Sequence, residues 1–285
     1  MKFSKLNGLA VAALVALGAT AAQASPLFTV SPSGIGEAGS SFQADFVNGN
    51  TSELLTADTA TNTISGTGWA QFTSFSNAGN IILPFNSGLD NAGGYQLYLK
   101  FTLKNTLVSG SLLATNSSYE MSVLDFGVYA DPDLDTSFTQ ANALNNTAAT
   151  VGGTTSDDIL LATGSLVTGV AGFDAQGGAF LNAISTFALC TGAGTADIGG
   201  VAIPDAACQN GDGRAFFSQP IPFYSLSFSE FNNTLQGVLR NGNVVSITNA
   251  TGGVDFNNVP EPASLALAGL ALLALGGSVR RRRGA

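Results

Sequence analysis

Tyr95-Gln96-Leu97-Tyr98-Leu99-Lys100-Phe101-Thr102-Leu103 alternates without a break. Tyr95, Leu97, Leu99, Phe101 and Leu103 fall on one face; Gln96, Tyr98, Lys100 and Thr102 fall on the other. Successive side chains of an extended backbone point to opposite sides, so this period of two is that of a half-buried strand.

The surrounding sequence reads the same way. Tyr224, Leu226 and Phe228 alternate with Ser225, Ser227 and Ser229, and Met121 to Tyr129 reads as a more buried strand. Asn241-Gly242 separates Thr234–Arg240 from Asn243–Thr248 and predicts a hairpin through a type I′ turn, since both residues tolerate positive φ. Phe180 to Leu189 predicts another strand, although its Ala content permits a short helix. Ser137 to Asp158 is polar and Gly-rich and predicts an exposed loop; Leu27 to Thr63 is ambiguous. The body is rich in Gly, Ser, Thr, Asn and Phe and poor in the long charged residues that favour exposed helices. The expected fold class is all-β, a β-sandwich of jelly-roll type.

The two ends read differently. Lys2 and Lys5, the apolar run Leu9 to Leu17, and Ala22-Gln23-Ala24 form the charged, apolar and small-residue order of a secretory signal peptide. Cleavage after Ala24 would leave residues 25–258 as an extracellular domain, long enough to bury a full core. Residues 259–285 hold Val259-Pro260-Glu261-Pro262, a charge-free apolar run from Ala263 to Val279, and Arg280, Arg281, Arg282 and Arg283. As a helix, that run would rise about 25 Å, at the short end of a membrane span. The arginines would mark its cytoplasmic side.

Between Ser25 and Asn258 the basic residues are Lys100, Lys104, Arg214 and Arg240, four against 18 acidic residues, a formal charge of −14. Such a body is not drawn to nucleic acid by charge. Histidine is absent, which removes the commonest general base and the His-containing triads. Catalysis by carboxylates alone remains open, and Glu37, Glu53, Glu120 and Glu230 are scattered without a local motif. Cys190 and Cys208 are expected to form a disulfide in an oxidising compartment, with two free buried thiols as the alternative. Asp131, Asp133 and Asp135 alternate as a candidate calcium loop, but Thr136 and Asn142 stand where an EF-hand needs Gly and Glu. A solvated acidic turn is the other reading, as it is for Asp157-Asp158; apart from calcium no cofactor is expected. Trp69, Tyr98 or Tyr129 could stack on sugars if exposed.

Pro260-Glu261-Pro262, the apolar run and the arginine cluster together resemble the PEP-CTERM sorting signal of Gram-negative bacteria. The resemblance implies processing by exosortase, a membrane-embedded protease, after transient residence in the inner membrane. It also implies delivery to the cell surface or the exopolysaccharide matrix. The Phe-, Asn- and Gly-rich body, the stretch Ser122-Val123-Leu124-Asp125-Phe126-Gly127-Val128-Tyr129 and the run Phe216 to Phe231 resemble flocculation-associated PEP-CTERM proteins. The expected function is therefore an exported, non-enzymatic surface or matrix protein supporting cell aggregation, flocculation or biofilm formation. The alternative is a secreted carboxylate-dependent carbohydrate-active enzyme.

Overall fold

The computed structural model describes residues 26–257. The signal-peptide positions Ala22 and Ala24, and the sorting segment with its expected apolar helix, lie outside the described residues. Among the described residues no helix is long and apolar enough to cross a membrane.

Two short strands come first, β1 (Phe28–Val30) and β2 (Phe42–Ala44), then the long β3 (Phe46–Asp58) and β4 (Thr63–Asn77) and the short β5 (Asn80–Ile82). β6 (Gln96–Ser109) and β7 (Ser117–Asp131) form the next long hairpin. A first excursion carries β8 (Ser137–Thr139) and β9 (Thr150–Gly152), before β10 (Ile159–Phe173) and β11 (Ala179–Thr186). A second carries β12 (Ala188–Gly192), β13 (Thr195–Ile198), β14 (Val201–Pro204) and β15 (Phe217–Gln219). β16 (Leu226–Asn232), β17 (Val238–Asn241) and β18 (Val244–Asn257) complete the described chain.

Eight of these strands close on themselves. The hydrogen-bonded order β11-β16-β18-β3-β4-β6-β7-β10 returns to its start because β10 also pairs with β11, from Leu166↔Ser185 to Phe173↔Ala179. Each strand pairs antiparallel with the next barrel strand in sequence, so the fold is an up-and-down barrel. The jelly-roll sandwich expected from sequence is corrected here: one sheet wraps round instead of two sheets packing face to face. Alternation along a strand is the same in both folds; they differ in pairing order, here each barrel strand with its sequence neighbour and the last, β18, with the first, β3.

The stretch that set the fold class behaves as its pattern requires. Leu97, Leu99 and Leu103 on β6 are buried in the interior, while Lys100 and Thr102 face out and are exposed. On β16 the polarity is reversed. Ser227 is fully buried opposite Ser185, whereas Leu226 and Phe228 are half-buried on the outer face. Small residues are needed inward because that end of the barrel is filled from above. The sheet β15-β1-β2 caps it, and Phe28 packs edge-on against Phe256 at 4.9 Å and against Phe217 and Phe223.

Midway down, Gly68, Phe101, Phe126 and Gly164 form one row across β4, β6, β7 and β10. A Cβ on Gly68 would lie 2.5 Å from Phe101 Cζ, so the glycine makes room for the ring. An eight-stranded barrel is just wide enough for side chains to fill, and this large–small alternation is how the filling fits. The C-terminal hairpin forms, but its pairing Asn241↔Val244 puts Gly242-Asn243 at the centre of the turn. Gly242 has φ +58° and Asn243 has no positive φ, which makes the turn type II′ in place of the expected I′.

Candidate functional site

The two excursions decide where a ligand could sit. The first, expected as an exposed loop, is a strap laid over the outer face of β3, β4 and β18. Ala141 N–H donates to Ser52 Oγ at 2.9 Å and Ala143 N–H to Ser246 Oγ at 3.0 Å. Phe138 covers Trp69, ring to ring at 5.0 Å, and Trp69 Nε1 donates to Thr139 O at 2.9 Å. The second excursion is held by the expected disulfide, Cys190–Cys208. Both sulfurs sit in a small separate core with Ala188 and Ala196.

Between the two excursions lies a groove of about 740 Å³ on the outer faces of β4, β6, β7 and β10. Its floor is set by register. One row runs Thr67–Thr102–Asp125–Ser165 and the next Trp69–Lys100–Gly127–Thr163. Val151 of the strap forms one wall, and Ala188, Ile198 and Ile203 of the disulfide-linked excursion form the other. Thr163 Oγ1 donates to Asp205 Oδ2 at 2.6 Å and ties that wall to the floor.

The three aromatic residues expected as sugar platforms fare differently. Trp69 and Tyr98 are buried, and Tyr129 is half-buried at the groove. Tyr98 stacks on Tyr129 at 5.2 Å and donates its hydroxyl to Asp158, while Lys100 Nζ lies 4.2 Å above the Tyr129 ring. Tyr129 is thus engaged by both neighbours. The other polar groups along the groove floor are hydroxyls, Asp125 and Lys100. Burial, and next the Asp158 charge, raise the Tyr129 hydroxyl above its ordinary value, so it stays a neutral donor and acceptor.

A second feature lies inside the barrel. Glu53 is only 7% exposed and lines an internal cavity of about 50 Å³ with Thr51, Leu99, Phe101 and Phe231. Burial pushes its carboxyl up to about 7, and Oε2 has no partner. This volume takes a few waters rather than a drug-sized ligand. Sequence reasoning named Glu53 among the scattered glutamates but had no sign that it points inward. Glu37 lies beyond β1, and Glu120 and Glu230 are exposed on strands separated by β10 and β11, so the fold assembles no glutamate pair.

Of the three candidate calcium carboxylates, one is spent locally. Asp131 is buried, and its oxygens accept from the backbone N–H of Asp133, Leu134 and Thr136 at 2.8–3.0 Å. Asp133 and Asp135 are exposed, and among the described residues no group of three or more such side chains is placed to hold a metal ion. Asp158, expected in a surface turn, is half-buried and bound to Tyr98; burial raises its carboxyl above the ordinary range.

Comparison with known proteins assigns one segment. Residues 258–283 match the family model of the PEP-CTERM protein-sorting motif. The chain therefore carries that motif, which implies export, processing by exosortase at the C-terminus and a cell-surface or extracellular fate. No curated protein matches the chain, and no solved structure does.

Proposed function

We propose that the exported body is a non-enzymatic matrix protein that holds a hydroxyl-rich polysaccharide in the outer groove and so supports aggregation, flocculation or biofilm formation. The observation that carries this reading is the row Thr67–Thr102–Asp125–Ser165 across the groove floor. Neighbouring strands lie about 4.8 Å apart, so the row offers one polar side chain per strand at a spacing comparable to a sugar ring. A glycan lying across the strands would meet a donor or acceptor at each unit. The acidic body favours an uncharged or weakly charged glycan, because a polyanion would be repelled over most of the body and meet one cation, Lys100, in the groove lining.

Asp125 and Asp205 both border the groove, which is the specific observation on the side of a carboxylate-dependent enzyme. One experiment separates the two readings. The mature body is incubated with the exopolysaccharide of its own host. Retention of intact polysaccharide is expected, whereas release of oligosaccharides makes the protein an enzyme, and neither retention nor release removes the glycan reading.

A further inference from the structure

The end of the barrel from which the chain leaves is apolar at its rim. Asn257, the last described residue, pairs with Leu226 at the start of β16. On one side of this exit, Ile82, Phe75, Val47 and Val254 form a row across β5, β4, β3 and β18. Three strand spacings of about 4.8 Å place β5 roughly 14 Å from β18. Beside Ile82, and in the helical turn Pro84–Ser87 that follows, Ile81, Leu83 and Phe85 are 65%, 50% and 72% exposed. On the other side, Ile221 and Val201 are exposed on adjoining segments, since a Cβ on Gly200 would touch Pro222 at 2.9 Å. Leu27, whose carbonyl accepts from the Tyr224 hydroxyl at 2.9 Å, is exposed at the same end. The exit point lies between two apolar lips.

Five residues, 258 to 262, separate Asn257 from the apolar run Ala263–Val279. Fully extended, the six steps from Asn257 to Ala263 reach about 21 Å. While that run is held in a bilayer, the rim cannot stand farther than this from the lipid surface. We propose that in the membrane-held precursor the lips Ile81-Leu83-Phe85 and Val201-Ile221 rest on the bilayer interface. This would set the barrel end-on to the membrane and hold the Pro260-Glu261-Pro262 junction at the lipid surface. The inference rests on the sorting reading of the C-terminus and is independent of the glycan groove. Asp45, whose carboxylate accepts from Ala78 N–H at 2.7 Å, stands near the Ile81 lip, so zwitterionic lipid suits the contact better than anionic lipid.

The test uses the full chain reconstituted in phosphatidylcholine vesicles with brominated acyl chains. Single tryptophans are placed by Phe85→Trp, Ile221→Trp and, at the opposite end of the barrel, Val108→Trp, each in a Trp69→Phe background. Quenching of the emission at 85 and 221, with no loss at 108, is the expected result. A chain that floats with the vesicles but is quenched equally at all three sites, or at none, overturns the docking and leaves the anchor standing. A chain that does not float removes both.

Discussion

Glu53 and Gly68 are direct cross-strand partners on the inner faces of β3 and β4, so a buried carboxyl faces a residue without a side chain. Among the described residues no cation pairs with Glu53, and its Oε2 is unpartnered. The space that Gly68 leaves is taken by the Phe101 ring, which deepens the apolar setting of the carboxyl.

That setting makes stability depend on pH. The folded carboxyl is raised from 4.5 to about 7, so the native state holds its proton over a range in which the unfolded chain has lost it. The contribution is complete below pH 4.5 and is lost as pH rises through 7. Its size is on the order of 3 kcal/mol, from about 1.4 kcal/mol per tenfold change in proton affinity. Urea unfolding at pH 5 and pH 8 should show this fall, and Glu53→Gln should flatten it. An identical pH dependence in the variant would place the titrating group elsewhere.

Gly68→Ala puts a methyl group 2.5 Å from both Phe101 Cζ and Ser52 O. Overpacking of this kind costs roughly 1–3 kcal/mol. The unfolding midpoint should drop accordingly, and adding Phe101→Leu should restore part of it by removing one of three close contacts, the third being Glu53 Cβ at 2.8 Å. No change in midpoint for the single variant would mean that the interior is looser than the register implies.

How much of this was legible in the sequence varies by element. Tyr95 to Leu103 announced its strand because inner and outer faces differ in polarity over its whole length. Tyr224 to Ser229 announced a strand but not its orientation: Ser227 and Ser185 face inward because the Phe28, Phe217 and Phe256 cap already fills that end. Closure was not legible, since it rests on the pairing of β18 with β3, the last and first barrel strands, which no local pattern reports. The groove was legible only in fragments. Lys100 and Thr102 were visible as an outer face, but the walls come from excursions whose paths are fixed by distant partners, such as Ala141 on Ser52. The disulfide was legible because two cysteines in an exported chain leave one intramolecular pairing.

The bridge supports one groove wall, so its loss should be felt there first. Cys190→Ala with Cys208→Ala should cost about 3 kcal/mol in the chain-entropy model and loosen Ile198 and Ile203. Far-UV circular dichroism should retain the barrel signal while glycan retention weakens. Full retention of glycan by the bridgeless protein would show that the second excursion is not part of the binding surface.

Polysaccharide held in the outer groove would be gripped by the side chains of its floor. The most direct measurement of this grip is the affinity of the mature body for its host's exopolysaccharide, compared with that of the Lys100→Ala, Asp125→Ala double variant. Both side chains are exposed, so the barrel should be undisturbed, and an unchanged urea midpoint would confirm that. The double variant should bind about tenfold more weakly, the equivalent of one charge-assisted hydrogen bond, with the polysaccharide recovered uncut. Equal affinity in the two proteins would contradict binding through the groove floor.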